Sequence, residues 1–363
     1  MIRSRSMRYL WGRASASGVE DKRMAQGYVH PQEGHHECEI LGSGPEAEES
    51  EGAWKECKKN PGHEKFFSAQ NFLDSSAPSV QTDKLRDTVR AMVDLTVRLR
   101  VNWTSPGRPN GFTFSHVRGC GKLRLGTGFI WNVEGPVCNK RCFCDECRGQ
   151  TAAKSWTFRV RTAHHVVYDT EEAKETKVDL FYDDDSCKPG SKMATVSVRG
   201  LEVVNSYPHK DICHMLCVTH NEALAERVQS ARRCWFDGPR EIQDLSALDF
   251  VPPCGRGADL ALIVSHPHGQ AKKITVGALR RCHGGFAHVE YNAATCPGSS
   301  GAPVFRFDTE RHIILGWWSL PVHSGGFFTS STQRGGIFSL TGFLNKLRGR
   351  KTKLTQRNYG NLW

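Results

Sequence analysis

The sequence predicts an all-β fold, a barrel or sandwich of short strands, on three observations. From residue 95 onwards, short runs alternate apolar and polar residues with a period of two. Clusters of Gly, Pro, Asn and Asp punctuate those runs. Only two stretches read as helix: residues 82–92 (TDKLRDTVRAM), with Thr82 as the cap, and residues 343–348 near the end.

The first strand, residues 95–101 (LTVRLRV), keeps strict alternation, as expected of a half-buried strand. Further short strands are expected at 128–131, 156–161, 177–182, 194–198 and 211–218, then at 259–264, 302–307 and 312–318. Residues 1–85 read as a mostly disordered extension. The stretch 31–59 mixes His, Gly, Glu and Ser with few apolar residues, a composition that buries too little apolar surface to offset chain entropy.

Length and composition narrow the function classes. At 363 residues the chain has room for two structural units, or one double-barrel domain with extensions. No apolar run approaches the roughly 18 residues of a membrane-spanning helix. The basic opening, MIRSRSMRYL, leads into no apolar core, so no secretory signal is expected. A cytoplasmic setting with reduced thiols is therefore the expectation for the 14 cysteines. The net charge of +11 favours acidic partners. The basic residues are scattered, however, apart from a tail at 346–353 (KLRGRKTK), and no nucleic-acid module accompanies them. Specific nucleic-acid binding is not expected.

Four cysteines crowd together: Cys138, Cys142, Cys144 and Cys147. Thiolates suit zinc, but only Cys144 and Cys147 form a C-x-x-C, and structural sites usually use two separated knuckles. A zinc site and a cysteine-rich surface loop both remain open, with the loop favoured. No cofactor is expected in the chemistry itself.

The chemistry points to residues 296–303 (CPGSSGAP). Glycines on both sides of the serine pair allow a tight turn that exposes a hydroxyl. The N–H groups of Gly298 and Ser300 can then converge on a developing oxyanion. A plain Gly/Ser turn between strands is the other reading. A nucleophilic serine needs a base, and His164 and His165 stand where an apolar strand ends. The base needs a carboxylate, which Asp211 offers just before the strand ICHMLCV; Asp259 is its rival.

Together these segments resemble the chymotrypsin-like serine peptidases, nearer the glutamyl-endopeptidase and stress-protease branch than the digestive trypsins. The matching pieces are Gly126-Thr127-Gly128-Phe129, Thr162-Ala163-His164-His165, Asp211-Ile212 and Gly298-Ser299-Ser300-Gly301-Ala302-Pro303. The order His, Asp, Ser is that family's, and the separations of 46 and 89 residues sit near the roughly 45 and 90 of its layout. The resemblance implies two antiparallel six-stranded β-barrels over residues 86–345, the first at about 92–235 and the second at about 250–345, followed by a basic tail at 346–363. It implies His165 as general base, Asp211 as its orienting carboxylate, Ser300 as nucleophile, and Gly298 and Ser300 as oxyanion donors. Protein or peptide substrates follow from it, as does a role for Thr295, His323 and Ser324 in holding substrate. Thr295 and His323 look like the pair that grips a Glu or Gln side chain before the scissile bond. The alternative is a catalytically silent homologue that binds proteins. Ser299 stands where digestive enzymes carry an Asp that pairs with a new N-terminus, so zymogen activation of that type is not expected.

Overall fold

The computed structural model describes residues 35–74, 83–144, 146–187, 195–237, 259–283, 288–308, 313–315, 320–328 and 337–340. The basic tail and the helix expected at 343–348 lie outside them, as do residues 1–34.

Strand β3 (Thr96–Val101) buries Val97, Leu99 and Val101 completely, as its alternation requires. It pairs antiparallel with β4 (Arg124–Arg141) on one side and β6 (Thr176–Leu180) on the other. From β6 the sheet continues through β7 (Val196–Tyr207) and β8 (Ile212–Thr219) to β5 (Thr151–Thr162). β5 returns to β4 and closes a ring of six strands. This is the first barrel expected from the resemblance.

The second sheet contains β9 (Leu260–Ser265), β10 (Lys273–His283), β11 (His288–Tyr291), β12 (Val304–Asp308), β13 (Ile313–Leu315), β14 (Gly325–Phe328) and β15 (Ile337–Leu340). An eighth strand, β1 (His35–His36), joins its edge beside β14. No strand pairing closes this sheet into a ring among the described residues, so the six-stranded barrel expected for the second half is seen as an open eight-stranded sheet. β9 is buried along its whole length. Leu260, Leu262 and Val264 join the main core, while Ala261 and Ile263 face a second cluster with Val289, Tyr291 and Val304. Burial on both faces explains its unbroken apolar sequence.

The helix expected at 82–92 is observed as Asp83–Leu95, and it packs on a 16-residue helix, Glu222–Asp237, that the sequence reading did not identify. The latter brings Trp235 edge-on to Phe129 and Phe305, one from each sheet.

A clearer correction concerns the N-terminal extension. Within it, residues 35–74 are folded. β1 is followed by β2 (Glu39–Ile40), which pairs with β4, then by helix α1 (Glu46–Lys55) and helix α2 (Ala69–Asp74). Phe66 and Phe72 are buried, and Phe67 makes a bridge to Ile274 of β10.

One buried charge network supports the turn after β5. The Glu172 carboxylate accepts from Arg108 Nε (2.6 Å) and Nη2 (2.7 Å), and Arg124 Nη2 lies 2.9 Å away. Arg108 Nη2 also reaches the His165 carbonyl (3.0 Å) and Arg124 Nη1 donates to that of Val166 (3.1 Å), so both guanidiniums hold the turn's backbone. Burial alone would raise the Glu172 pKa, but the two guanidiniums overcome it and hold it at about 2. Glu172→Ala leaves two buried cations uncompensated and is expected to cost about 3–5 kcal/mol in urea unfolding. Because the folded pKa is depressed, this stabilisation is full above the ordinary value of 4.5 and fades as pH falls towards 2. The wild-type midpoint should thus fall below pH 4.5, and the part of that fall owed to Glu172 should vanish in the variant.

Candidate active site

The residues that the sequence grouped across 135 positions meet between the two sheets. His165 follows the end of β5, and its ring is fully buried. Nδ1 lies 2.7 Å from Asp211 Oδ2, and the His165 backbone N–H donates to Asp211 Oδ1 at 3.0 Å. Nε2 lies 2.7 Å from Ser300 Oγ. With Nδ1–H donating to the carboxylate, Nε2 is left to accept the serine proton.

Asp211 caps a 3₁₀ turn (Pro208–Lys210) in the left-handed region, φ 52°, and Ile212 then starts β8. Burial would raise its pKa, but His165 and a hydrogen bond from the Ser324 hydroxyl push it well below the usual carboxylate range. Ser324, expected to hold substrate, thus touches the carboxylate itself, while its carbonyl oxygen lies 3.1 Å from Ser300 Oγ. Asp259 begins the approach to β9, and it is Asp211 that stands against His165. His164 points away to Ser206 Oγ (2.7 Å), and burial lowers its pKa to about 4.

The serine loop is braced from both sheets. Gly298 has φ 95°, and a Cβ there would come within 2.4 Å of the His266 carbonyl oxygen, so only glycine fits. Thr127, from the Gly-Thr-Gly-Phe segment, donates its hydroxyl to the Gly298 carbonyl (2.8 Å) and its N–H to that of Ser300 (2.8 Å). Ser299 is fully buried and accepts from the Cys296 N–H at 3.2 Å. Its hydroxyl thus braces the loop internally and also lies 3.2 Å from Ser265 Oγ at the end of β9.

The cleft is filled by the chain's own residues 36–39. The carbonyl oxygen of Glu37 accepts from the N–H groups of Gly298 (2.6 Å) and Ser300 (3.0 Å), the two donors expected to bind an oxyanion. The imidazole of His36 stacks on His165, with ring centroids 3.8 Å apart. The Glu37 side chain enters a closed pocket, where His323 Nε2 meets its carboxylate at 2.8 Å and the Lys59 ammonium pairs with the other oxygen. Tyr291 O–H lies 2.7 Å from His323 Nδ1 and fixes the tautomer that donates from Nε2. Burial lowers the His323 pKa and raises that of Tyr291, which keeps a neutral imidazole and a protonated phenol in these roles. Thr295 Oγ1 lies 3.1 Å from Lys59, so Lys59 stands between Thr295 and Glu37. Glu37 is held at about 2 by Lys59 and His323 against the opposing effect of burial. Two open surface cavities, one bordered by Val198 and His220 and the other by Glu46 and Tyr182, include none of these residues.

Sequence reasoning missed Glu37, Lys59 and Tyr291. The first two fall in the stretch read as disordered, and Tyr291 has no local motif. The cysteine group is also corrected. Cys142, Cys144 and Cys147 gather around His220, whereas Cys138 lies back on β4 opposite Lys154. A second Cys/His group, Cys57, His63, His268 and Cys296, is fully formed and was not foreseen.

No protein-family model matches the chain, and no curated protein matches it. Among solved structures the chain is similar to an HtrA-type protease determined with a tripeptide, at 15% identity and a TM-score of 0.32. The match covers 69% of this chain and 58% of that one, so the chain spans less than two thirds of that protease's length.

Proposed function

We propose that the chain is a serine endopeptidase, with Ser300 as nucleophile, His165 as general base and Asp211 as the carboxylate that orients it. The observation that carries the reading is the continuous relay from Ser300 Oγ to His165 Nε2 and from Nδ1 to Asp211, at 2.7 Å in each step. Ser300 Oγ attacks a peptide carbonyl while His165 takes its proton. The N–H groups of Gly298 and Ser300 stabilise the oxyanion, and protonation of the amine releases the first product. Water then hydrolyses the acyl-enzyme.

Substrates are proteins or peptides with Glu before the scissile bond. His323 supplies a neutral N–H donor suited to Glu or Gln, and the Lys59 charge selects Glu. Treatment with a fluorophosphonate probe tests the chemistry: with the segment at 36–39 displaced from the cleft, Ser300 should carry the label, and a chain opened in this way yet unlabelled at Ser300 would exclude the assignment. A peptide library tests the pocket. Glu should be enriched before the cut, and Lys59→Met should move the preference towards Gln by an order of magnitude or more. Cleavage after Lys, Arg or aliphatic residues would refute the pocket.

A further inference from the structure

We infer that this peptidase cuts itself between Glu37 and Cys38, an inference that rests on the proposed function and names its first substrate. Four independent contacts make residues 35–40 a bound substrate rather than a chance occupant. β1 adds antiparallel to β14, with His35 opposite Gly326 and His36 opposite Gly325, as an extended peptide adds to a sheet edge. Beyond the bond, β2 adds to β4, with Glu39 opposite Leu125 and Ile40 opposite Arg124. The chain is therefore gripped on both sides of one peptide bond. The carbonyl oxygen of that bond is the one held by Gly298 and Ser300, and the side chain before it fills the His323–Lys59 pocket.

The step balances with water alone. Ser300 Oγ bonds to the Glu37 carbonyl carbon as its proton passes to His165. The bond to the Cys38 nitrogen breaks as that proton is delivered to the departing amine. Water then hydrolyses the ester, freeing the Glu37 α-carboxylate and restoring Ser300. The products are residues 1–37 and a chain beginning at Cys38. Lys59 stays on the second product, so the pocket keeps its cation once Glu37 departs.

Intact-mass measurement and N-terminal sequencing of three purified full-length chains test the inference. The wild type should begin at Cys38, at a rate independent of dilution, and Ser300→Ala should remain whole. Glu37→Lys places a second cation against Lys59; this chain should also remain whole while opening Ser300 to the fluorophosphonate. A wild-type chain intact at Glu37–Cys38, beside a Glu37→Lys chain labelled at Ser300, would overturn self-cleavage and leave the peptidase standing. Failure of Glu37→Lys to label, with the wild type intact, would overturn both.

A different observation carries a second proposal: the geometry points to two structural zinc sites. Tetrahedral zinc, with Zn–S about 2.3 Å and Zn–N about 2.0 Å, sets its ligands about 3.5 Å (S···N) and about 3.8 Å (S···S) apart. In the first group His220 Nε2 lies 3.7, 3.3 and 3.3 Å from the sulfurs of Cys142, Cys144 and Cys147. Its Nδ1 is hydrogen-bonded to the Lys154 carbonyl at 2.8 Å, which leaves Nε2 free to ligate. In the second, Cys57 and Cys296 sulfurs lie 3.6 Å apart and His63 Nε2 lies 3.5 Å from Cys296. His268 completes the group, its Nδ1 held by Glu39 at 2.6 Å. The carboxylate–imidazole pairing is typical behind a zinc ligand. This second site joins residues 57 and 63 to a cysteine two positions before Gly298, and so pins the N-terminal segment to the serine loop.

Elemental analysis of protein purified without chelator should give two zinc ions per chain, and one in each of Cys144→Ser and Cys57→Ser. Cys138→Ser should retain both. Circular dichroism of each variant separates lost metal from lost fold. A metal-free wild type, or an unchanged content in both ligand variants, would overturn the proposal.

Discussion

Ser300→Ala should lower kcat/KM on a Glu-containing peptide by at least about 10⁴-fold, with thermal unfolding almost unmoved. The side chain is completely buried, yet the substitution deletes one hydroxyl and opens no sizeable cavity. The partners it leaves are His165 Nε2 and the Ser324 carbonyl oxygen, both neutral groups, so no buried charge loses its partner. A double variant with His165→Ala should be scarcely slower than either single one, because the two groups act as one device. Progress curves on purified chains, with melting temperatures alongside, provide the measurement. Turnover within tenfold of wild type would remove Ser300 from the chemistry.

Asp211→Asn should cost a comparable factor, about 10⁴ in kcat, by a different route. The carboxylate accepts from the ring N–H and the backbone N–H of His165 and from the Ser324 hydroxyl. An amide in its place can present an N–H to Nδ1 and so favour the tautomer in which Nε2 carries the proton. That imidazole has no lone pair to take the serine proton. Asp259→Asn should change kcat little. Reversed outcomes would place the orienting acid in the second sheet. Since the Asp211 pKa is depressed, the carboxylate stays charged throughout the ordinary carboxylate range and loses its charge only in stronger acid. Acid loss of activity near pH 5 therefore should not trace to this group.

The relay was legible because its parts leave local marks. The Gly298 and Gly301 turns, the histidine at a strand end and the aspartate before β8 each carry a short motif, and their order and spacing constrain one another. Strands with clean alternation, such as β3, were legible for a similar reason. β10 was not: it opens on KITVGALRR, in which basic residues interrupt the pattern, and its partner β11 has only four residues. The helix Glu222–Asp237 carries many charged side chains among its apolar ones, which blurs its apolar stripe.

Residues 35–74 failed the composition test because that test asks what a segment can bury by itself. Here the burying surface belongs to the two sheets and their loops. Ser50 hydrogen-bonds the His268 carbonyl, Asn60 donates to the Thr295 carbonyl at 2.9 Å, and Glu37 spends its charge on Lys59 and His323. Apart from Lys59, which lies in the same segment, these partners are more than 200 positions away from polar residues that look like solvated chain in isolation.

That dependence bears on where the molecule can be trimmed. A recombinant version started at residue 86, the boundary that the family resemblance implies, would retain Ser300, His165 and Asp211 in full. It would lack the ammonium of Lys59 beside His323, the β2 ribbon along β4, and the Phe66 and Phe72 side chains that are buried in the whole protein. Its specificity wall would be hydrated and missing its cation, so the shortened protein would hydrolyse simple esters while discriminating poorly among peptides. On the proposed function, assays on such a fragment would describe an unselective hydrolase, because the stretch that carries Lys59 and β2 would be gone.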